Sequence, residues 1–112
     1  MKTITINSKK YEIAEADYPE SLTFSEAEDK LDNNWILPHF DLLLEMYKNK
    51  DDLGGFDSKC NYWSSQKYYN YIDEYDQRDG FIYVIDFGNG NEQTLPDESY
   101  YKCKCRFVKE II

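Results

Sequence analysis

No apolar run in the chain approaches the roughly 18 residues that a bilayer-spanning helix needs, and the opening MKTITINSKK lacks the apolar stretch of a secretory signal. Membrane insertion is therefore not expected, and synthesis in the cytoplasm without a cleaved leader is. Cations are scarce: 13 Lys and Arg stand against 22 Asp and Glu, a net charge of -9. Such a surface is repelled by nucleic-acid phosphates and by anionic lipid, so neither is expected as a partner, while a basic protein surface is compatible. Three cysteines make an odd number for a disulfide framework, and a 112-residue chain with 41% hydrophobic residues can hold one modest core without staples. Reduced thiols and one domain over 1-112 are the expectation. A single histidine leaves few ways to build a histidine-dependent site.

What the chain has in excess is aromatic: 17%, with eleven tyrosines. Tyrosine brings contact area at low entropic cost and a hydroxyl for hydrogen bonding, which suits recognition surfaces; it is also a common strand residue.

Along the chain, TITINSKKYEI alternates and turns through Asn7–Lys10, which predicts a hairpin or a strand with a short return. In LTFSEAEDKL, Thr23 with Glu26 three residues on is a capping-box signature, and Leu22 is placed to staple onto Ala27 at the start of a first helix. A second helix is predicted to be entered through Pro38 in its first turn, with Asp41 near the positive dipole end and Leu43, Met46 and Tyr47 on its buried face. The stretch 51–58, punctuated by Gly54-Gly55, reads as a loop, and YWSS as a short strand or turn entry. GFIYVIDFGNGNEQTL predicts a hairpin from Phe81 to Phe87, a turn at Asn89-Gly90, and a return through Gln93 to Leu95. YYKCKCRFV alternates, which predicts a strand with Tyr101, Cys103, Cys105 and Phe107 on one face and Lys102, Lys104 and Arg106 on the other.

The stretch GGFDSKCNYWSS, residues 54–65, poses the functional question. It reads as a catalytic loop built on Cys60 and Ser64, as a platform built on Trp63, or as a structural corner. Cys60 with His39 is the one nucleophile–base pair on offer, and His39, just past Pro38, reads more simply as a substitute helix cap. Cys60, Cys103, Cys105 and His39 form an acceptable zinc set, but Cys-x-Cys lacks the paired knuckles of a zinc site, and Cys103 and Cys105 read as core. No metal, cofactor or catalytic residue is assigned. The segment QKYYNYIDEYDQRD interleaves tyrosine with Asn, Asp and Gln, as binding loops do. Tyr68, Tyr69, Tyr71 and Tyr75 are the candidate anchors, with Asp73, Asp76 and Asp79 setting acidic selectivity; the acidic spacing does not match a calcium loop.

Trp35-x-Leu37-Pro38, Leu43 with Met46-Tyr47, GGF, YWSS, YVIDFGNGN and a KCR-type last strand occur in that order between about Thr23 and Phe107. The ordered set resembles a bacterial and phage C-type-lectin-like domain family of unknown function, of the kind found in Fibrobacter and Bacteroides proteins and at the end of a Legionella collagen-like adhesin. That family is related to the formylglycine-generating (sulfatase-modifying-factor) domains. The resemblance implies an α+β domain with two helices packed on a small twisted antiparallel sheet and long variable loops on one side. It implies structural roles for Trp35, Leu37, Pro38, Leu43, Tyr47, Gly54, Gly55, Phe56, Trp63 and Cys105. The family's first-helix cysteine is absent here, where the chain reads AEDKL, so Cys105 is left unpaired. The paired cysteines of the oxidase and the sugar and calcium motifs of animal lectins are missing too, so neither activity is inherited from the fold. The expectation is a non-enzymatic protein-binding module, in particular a phage virion protein of head-decoration or fibre-associated type. The alternative is an acidic intracellular inhibitor of a host protein that mimics nucleic-acid charge.

Overall fold

The computed structural model describes residues 2–31, 34–68, 81–98 and 100–111. Within them the fold is α+β, with three helices and two three-stranded antiparallel sheets. No helix among the described residues is long and apolar enough to cross a membrane.

The chain opens with the expected hairpin, β1 (Lys2–Ile6) and β2 (Lys9–Ile13), paired from Lys2↔Ile13 to Ile6↔Lys9. Its turn is the two-residue Asn7-Ser8, both at positive φ (51° and 67°), the backbone that matches the twist of the flanking strands. Helix α1 (Phe24–Asp29) starts at a complete capping box: Glu26 N–H donates to Thr23 Oγ1 at 3.2 Å, and Thr23 N–H to Glu26 Oε1 at 2.9 Å. Helix α2 (Phe40–Lys48) buries Leu42, Leu43 and Met46, with Tyr47 partly covered. It begins later than expected. Pro38 stands two residues before the helix, and His39 is the cap, its Nδ1 accepting from Leu42 N–H at 3.3 Å. Pro38 is buried and its carbonyl accepts from Ser65 N–H at 2.8 Å, which fixes it outside the helical turn.

A short helix α3 (Lys50–Leu53) occupies the start of the stretch expected to be loop. Strand β3 (Asn61–Tyr68) is far longer than a YWSS turn entry, and takes in Gln66 and Lys67 from the segment read as loop. It pairs with β4 (Phe81–Asp86), which pairs with β5 (Glu92–Pro96) as the second hairpin. Strand β6 (Val108–Ile111) returns to β2, so the sheet orders are β1-β2-β6 and β3-β4-β5.

Where Tyr62 and Trp63 pair with Ile85 and Val84 the β3-β4 pair is buried on both faces, whereas Ser65, Gln66 and Lys67 further along β3 are exposed. Tyr62, Ile85 and Phe87 join one core with Leu42, Leu43, Met46, Tyr11, Ile13 and Val108. Trp63, Ile82 and Val84, one residue out of step, join the other with Leu22, Phe24, Ala27, Leu37, Cys103 and Cys105. Because successive side chains point to opposite faces, the adjacent Tyr62 and Trp63 anchor different cores, each with 0% exposure.

The expected strand at 101–107 is corrected. Only isolated bridges form there, because the segment bonds a succession of partners: Cys103 with Leu22, Lys104 with Asn61 and Trp63, Cys105 with Tyr18, and Phe107 with Ala14. Cys103 and Cys105 are buried and Phe107 is partly buried, while Tyr101 is 39% exposed. Arg106, expected on the outer face with the lysines, is 1% exposed. Leu37 is core at 2%; Trp35, expected beside it, is half-buried and belongs to neither cluster.

Candidate functional site

The corner between α3 and β3 is assembled around a guanidinium. Gly54 and Gly55 both have positive φ (77° and 80°), turning the chain back over Arg106. Arg106 Nε donates to Asp17 Oδ1 at 2.8 Å, and Nη1 to the carbonyls of Ala14 (3.2 Å) and Gly54 (3.0 Å). The guanidinium carbon lies 3.9 Å from the centroid of Phe56, a cation–π contact made by a buried side chain. Its Nη2 has no partner among the described residues and faces Gly55, where a Cβ would lie 3.0 Å away.

Asp17 also accepts from the Tyr62 hydroxyl, which in turn accepts from Asp57 N–H at 2.7 Å. Burial, then the bond to Asp17, raises the Tyr62 pKa above the ordinary tyrosine value. Asp57 is held below the usual carboxylate range by the Lys59 N–H (2.9 Å) and then by the Cys60 thiol, which donates to Oδ2 at 3.2 Å. The Cys60 thiol is pushed up by burial and by that same carboxylate, which opposes the thiolate a nucleophile needs. Burial pushes Cys103 and Cys105 up to about 12. His39 is spent on the α2 cap and sits edge-on to Tyr11 at 5.8 Å, so Cys60 bonds to Asp57 and not to the histidine. Among the described residues no three His, Cys, Asp or Glu side chains gather as a metal site.

Ser64 is likewise structural. The β3-β4 register shifts between Trp63 and Lys67, a bulge, and buried Ser64 fills it by donating to Tyr83 O (2.7 Å) and accepting from Gln66 N–H (3.1 Å). Trp63 Nε1 donates to Leu22 O at 2.7 Å, which fixes the indole in its core. The corner thus uses Phe56, Cys60, Tyr62, Trp63 and Ser64 to hold the fold.

Past the bulge, pairing continues through Lys67↔Ile82 to Tyr68↔Phe81. Tyr68 closes β3; Tyr69, Tyr71, Asp73, Tyr75, Asp76 and Asp79 lie outside the described residues. The connection 69–80 therefore starts and ends on neighbouring strands of one ladder. Sequence reasoning missed Asp17 and Arg106. The signal for the arginine was present: it breaks a run whose other outward positions are lysines, and guanidinium is the cation that tolerates burial. Asp17 had no local signal, being 89 residues from its partner.

In comparisons with known proteins, the chain matches no family model and no curated protein.

Proposed function

We propose that the chain is a non-enzymatic interaction module of C-type-lectin-like fold, which contacts a protein partner through the tyrosine-rich segment after β3. The observation that carries this reading is where that segment is joined: β3 and β4 are paired up to Tyr68↔Phe81, with Tyr62, Trp63, Ile82, Val84 and Ile85 buried in the two cores, so the twelve residues bearing Tyr69, Tyr71 and Tyr75 connect neighbouring strands of a packed ladder. Rigid scaffolds carrying polar and aromatic loops are a common design for binding. The fold reading draws on the pairing of the first hairpin with the last strand, with the helices and a second sheet between. A thiol mechanism is disfavoured by the three raised thiol pKa values.

The Asn-, Lys-, Ile- and Tyr-rich composition supports a phage or mobile-element product, and the particular role proposed is on the virion, as a head-decoration or fibre-associated protein. Mass spectrometry of purified particles tests that role, and particles free of the chain rule it out. Capture of partners on immobilised protein, comparing wild type with a Tyr69→Ala/Tyr71→Ala/Tyr75→Ala variant of equal melting temperature, tests the module itself; equal capture by both overturns the tyrosine assignment. The net charge of -9 favours a second reading, an acidic inhibitor seated on a basic host surface. Its capture would fall steeply with salt, whereas contacts made mainly by buried tyrosine would not.

A further inference from the structure

The four outer sheet edges are treated differently. Val108 on β6 exchanges both backbone bonds with Ile36 (2.8 and 2.9 Å). The outer edge of β3 is covered by Lys104 and Pro38: Trp63 N–H donates to Lys104 O, Lys104 N–H to Asn61 O, and Ser65 N–H to Pro38 O. On β5 the outward positions are Glu92, Thr94 and Pro96, since Asp86 N–H bonds Asn91 O and the even residues of β4 face β5. A charge and a residue without an N–H are the usual guards of an edge.

β1 carries a charge only at its end, Lys2, and has neither a charge nor a proline at its outward positions. The bond from Ala14 N–H to Phe107 O assigns the even positions of β2 to β6, so Lys9, Tyr11 and Ile13 face β1 and bond Ile6, Ile4 and Lys2. The N–H and C=O groups of Thr3 and Thr5 therefore point outward, and among the described residues no backbone group bonds them. The strand reads KTITI, β-branched at each position after the lysine, with no proline or bulge. A groove lies at this strand, lined by Lys2, Thr3, Ile4 and Thr5 on β1 and by Glu45, Asn49, Asp52 and Leu53 opposite.

We propose that the β1 edge pairs antiparallel with the β1 edge of a second copy of this chain, joining the two three-stranded sheets into one. A twofold axis at Ile4 matches Thr3 of one copy to Thr5 of the other, each pair exchanging both of its outward backbone bonds. The charges agree with this occupant. Alternation puts Lys2, Ile4 and Ile6 of the incoming strand on the face turned toward α2, with the incoming Lys2 opposite Ile6; of the groove's two carboxylate residues Asp52 lies at the resident Lys2 end, which leaves Glu45 for the incoming lysine. The strand brings the cation and the groove the Glu45 carboxylate, on both sides of the axis. Lys2 is at present bonded to a neutral group, the Asp52 carbonyl (2.6 Å), and Glu45 to the exposed Lys48 at 3.4 Å, so neither partner is committed to a buried pair. The edge shares no residue with the tyrosine-rich segment, and the inference stands independently of the function proposed above.

Sedimentation velocity over a concentration series up to about 1 mM, the weak end of specific association, tests it. The expected result is a reversible rise from 13.4 kDa toward twice that mass. Thr5→Pro removes an N–H that no internal bond uses, and is expected to keep the circular dichroism of the wild type while abolishing the rise. A wild-type chain that stays monomeric throughout, or a folded Thr5→Pro chain that still dimerises, overturns the proposal. Lys2→Glu leaves the backbone untouched and serves even if the proline variant fails to fold. It is expected to weaken association by about tenfold or more, as a reversed charge pair does, and an unchanged dimer overturns the twofold arrangement.

Discussion

Arg106 Nε and Asp17 Oδ1 lie 2.8 Å apart, 89 residues distant in sequence, and their pair ties the chain before α1 to the approach to β6. The arginine side chain is 0% exposed and the aspartate 12%. Removing one partner of such a pair leaves the other charge largely buried and unpaired, which costs about 3–5 kcal/mol. Asp17→Asn and Arg106→Ala should both lose stability on that scale in urea unfolding. Asp17→Leu/Arg106→Met, which removes both charges, should lie well above the sum of the single losses.

How much of this was legible in advance divides along sequence separation. The β1-β2 hairpin and the Thr23–Glu26 capping box were legible because turn and cap chemistry act over three or four residues. The two-faced burial of β3-β4 was half legible: Val84, Ile85 and Phe87 put apolar side chains on both faces of YVIDF, but nothing in it says which side chain enters which core. The irregular course of 101–107 was hidden, since perfect alternation is compatible with a regular ladder, and only distant partners such as Leu22 and Asn61 decide otherwise. The corner 54–65 was legible as a choice among three readings. The structure engages Cys60 and Ser64, the two residues of the catalytic reading, in internal hydrogen bonds to Asp57 and to the Tyr83 carbonyl.

Gly54 and Gly55 should respond differently to alanine, though both have positive φ. At Gly54 (φ 77°, ψ 158°) a Cβ meets nothing within 4 Å, so only the backbone conformation, open to glycine alone, costs about 1–3 kcal/mol. At Gly55 the Cβ would also press on Arg106 Nη2 at 3.0 Å, so the guanidinium that holds Asp17 would have to give by a few tenths of an ångström. Gly55→Ala should therefore be the more damaging. In an Arg106→Met background its excess over Gly54→Ala should vanish, a coupling that a double-mutant cycle in chemical denaturation reads directly.

Alkaline pH should weaken the fold through the buried thiols. Burial moves Cys103 and Cys105 from an ordinary value of 9 up to about 12 in the folded chain. The folded state then keeps thiol protons that the unfolded chain gives up. Stability from this source is whole below pH 9 and declines as pH rises from 9 toward 12. Melting temperatures measured across that range should fall, and fall less steeply in Cys103→Ala/Cys105→Ala. Tyr62 adds a further loss above its ordinary value of 10, which Tyr62→Phe should remove.

Trp63 and Tyr71 separate the scaffold from the proposed contact surface. The Trp63 indole is 0% exposed, packs edge-on to Phe24 at 5.7 Å and donates to Leu22 O. Trp63→Ala should cost about 3–5 kcal/mol, the range for emptying a large aromatic site. Trp63→Phe keeps most of the packing and forgoes the hydrogen bond, and should cost about 1–3 kcal/mol. Tyr71→Ala should leave the melting temperature unchanged and reduce partner capture, because hot spots at interfaces rest on a few such aromatics. Measuring both properties on all three variants makes the assignment discriminating: a Tyr71→Ala chain that melts early while capturing normally would assign the tyrosine-rich segment to the core and return the search for a contact surface to the rest of the molecule.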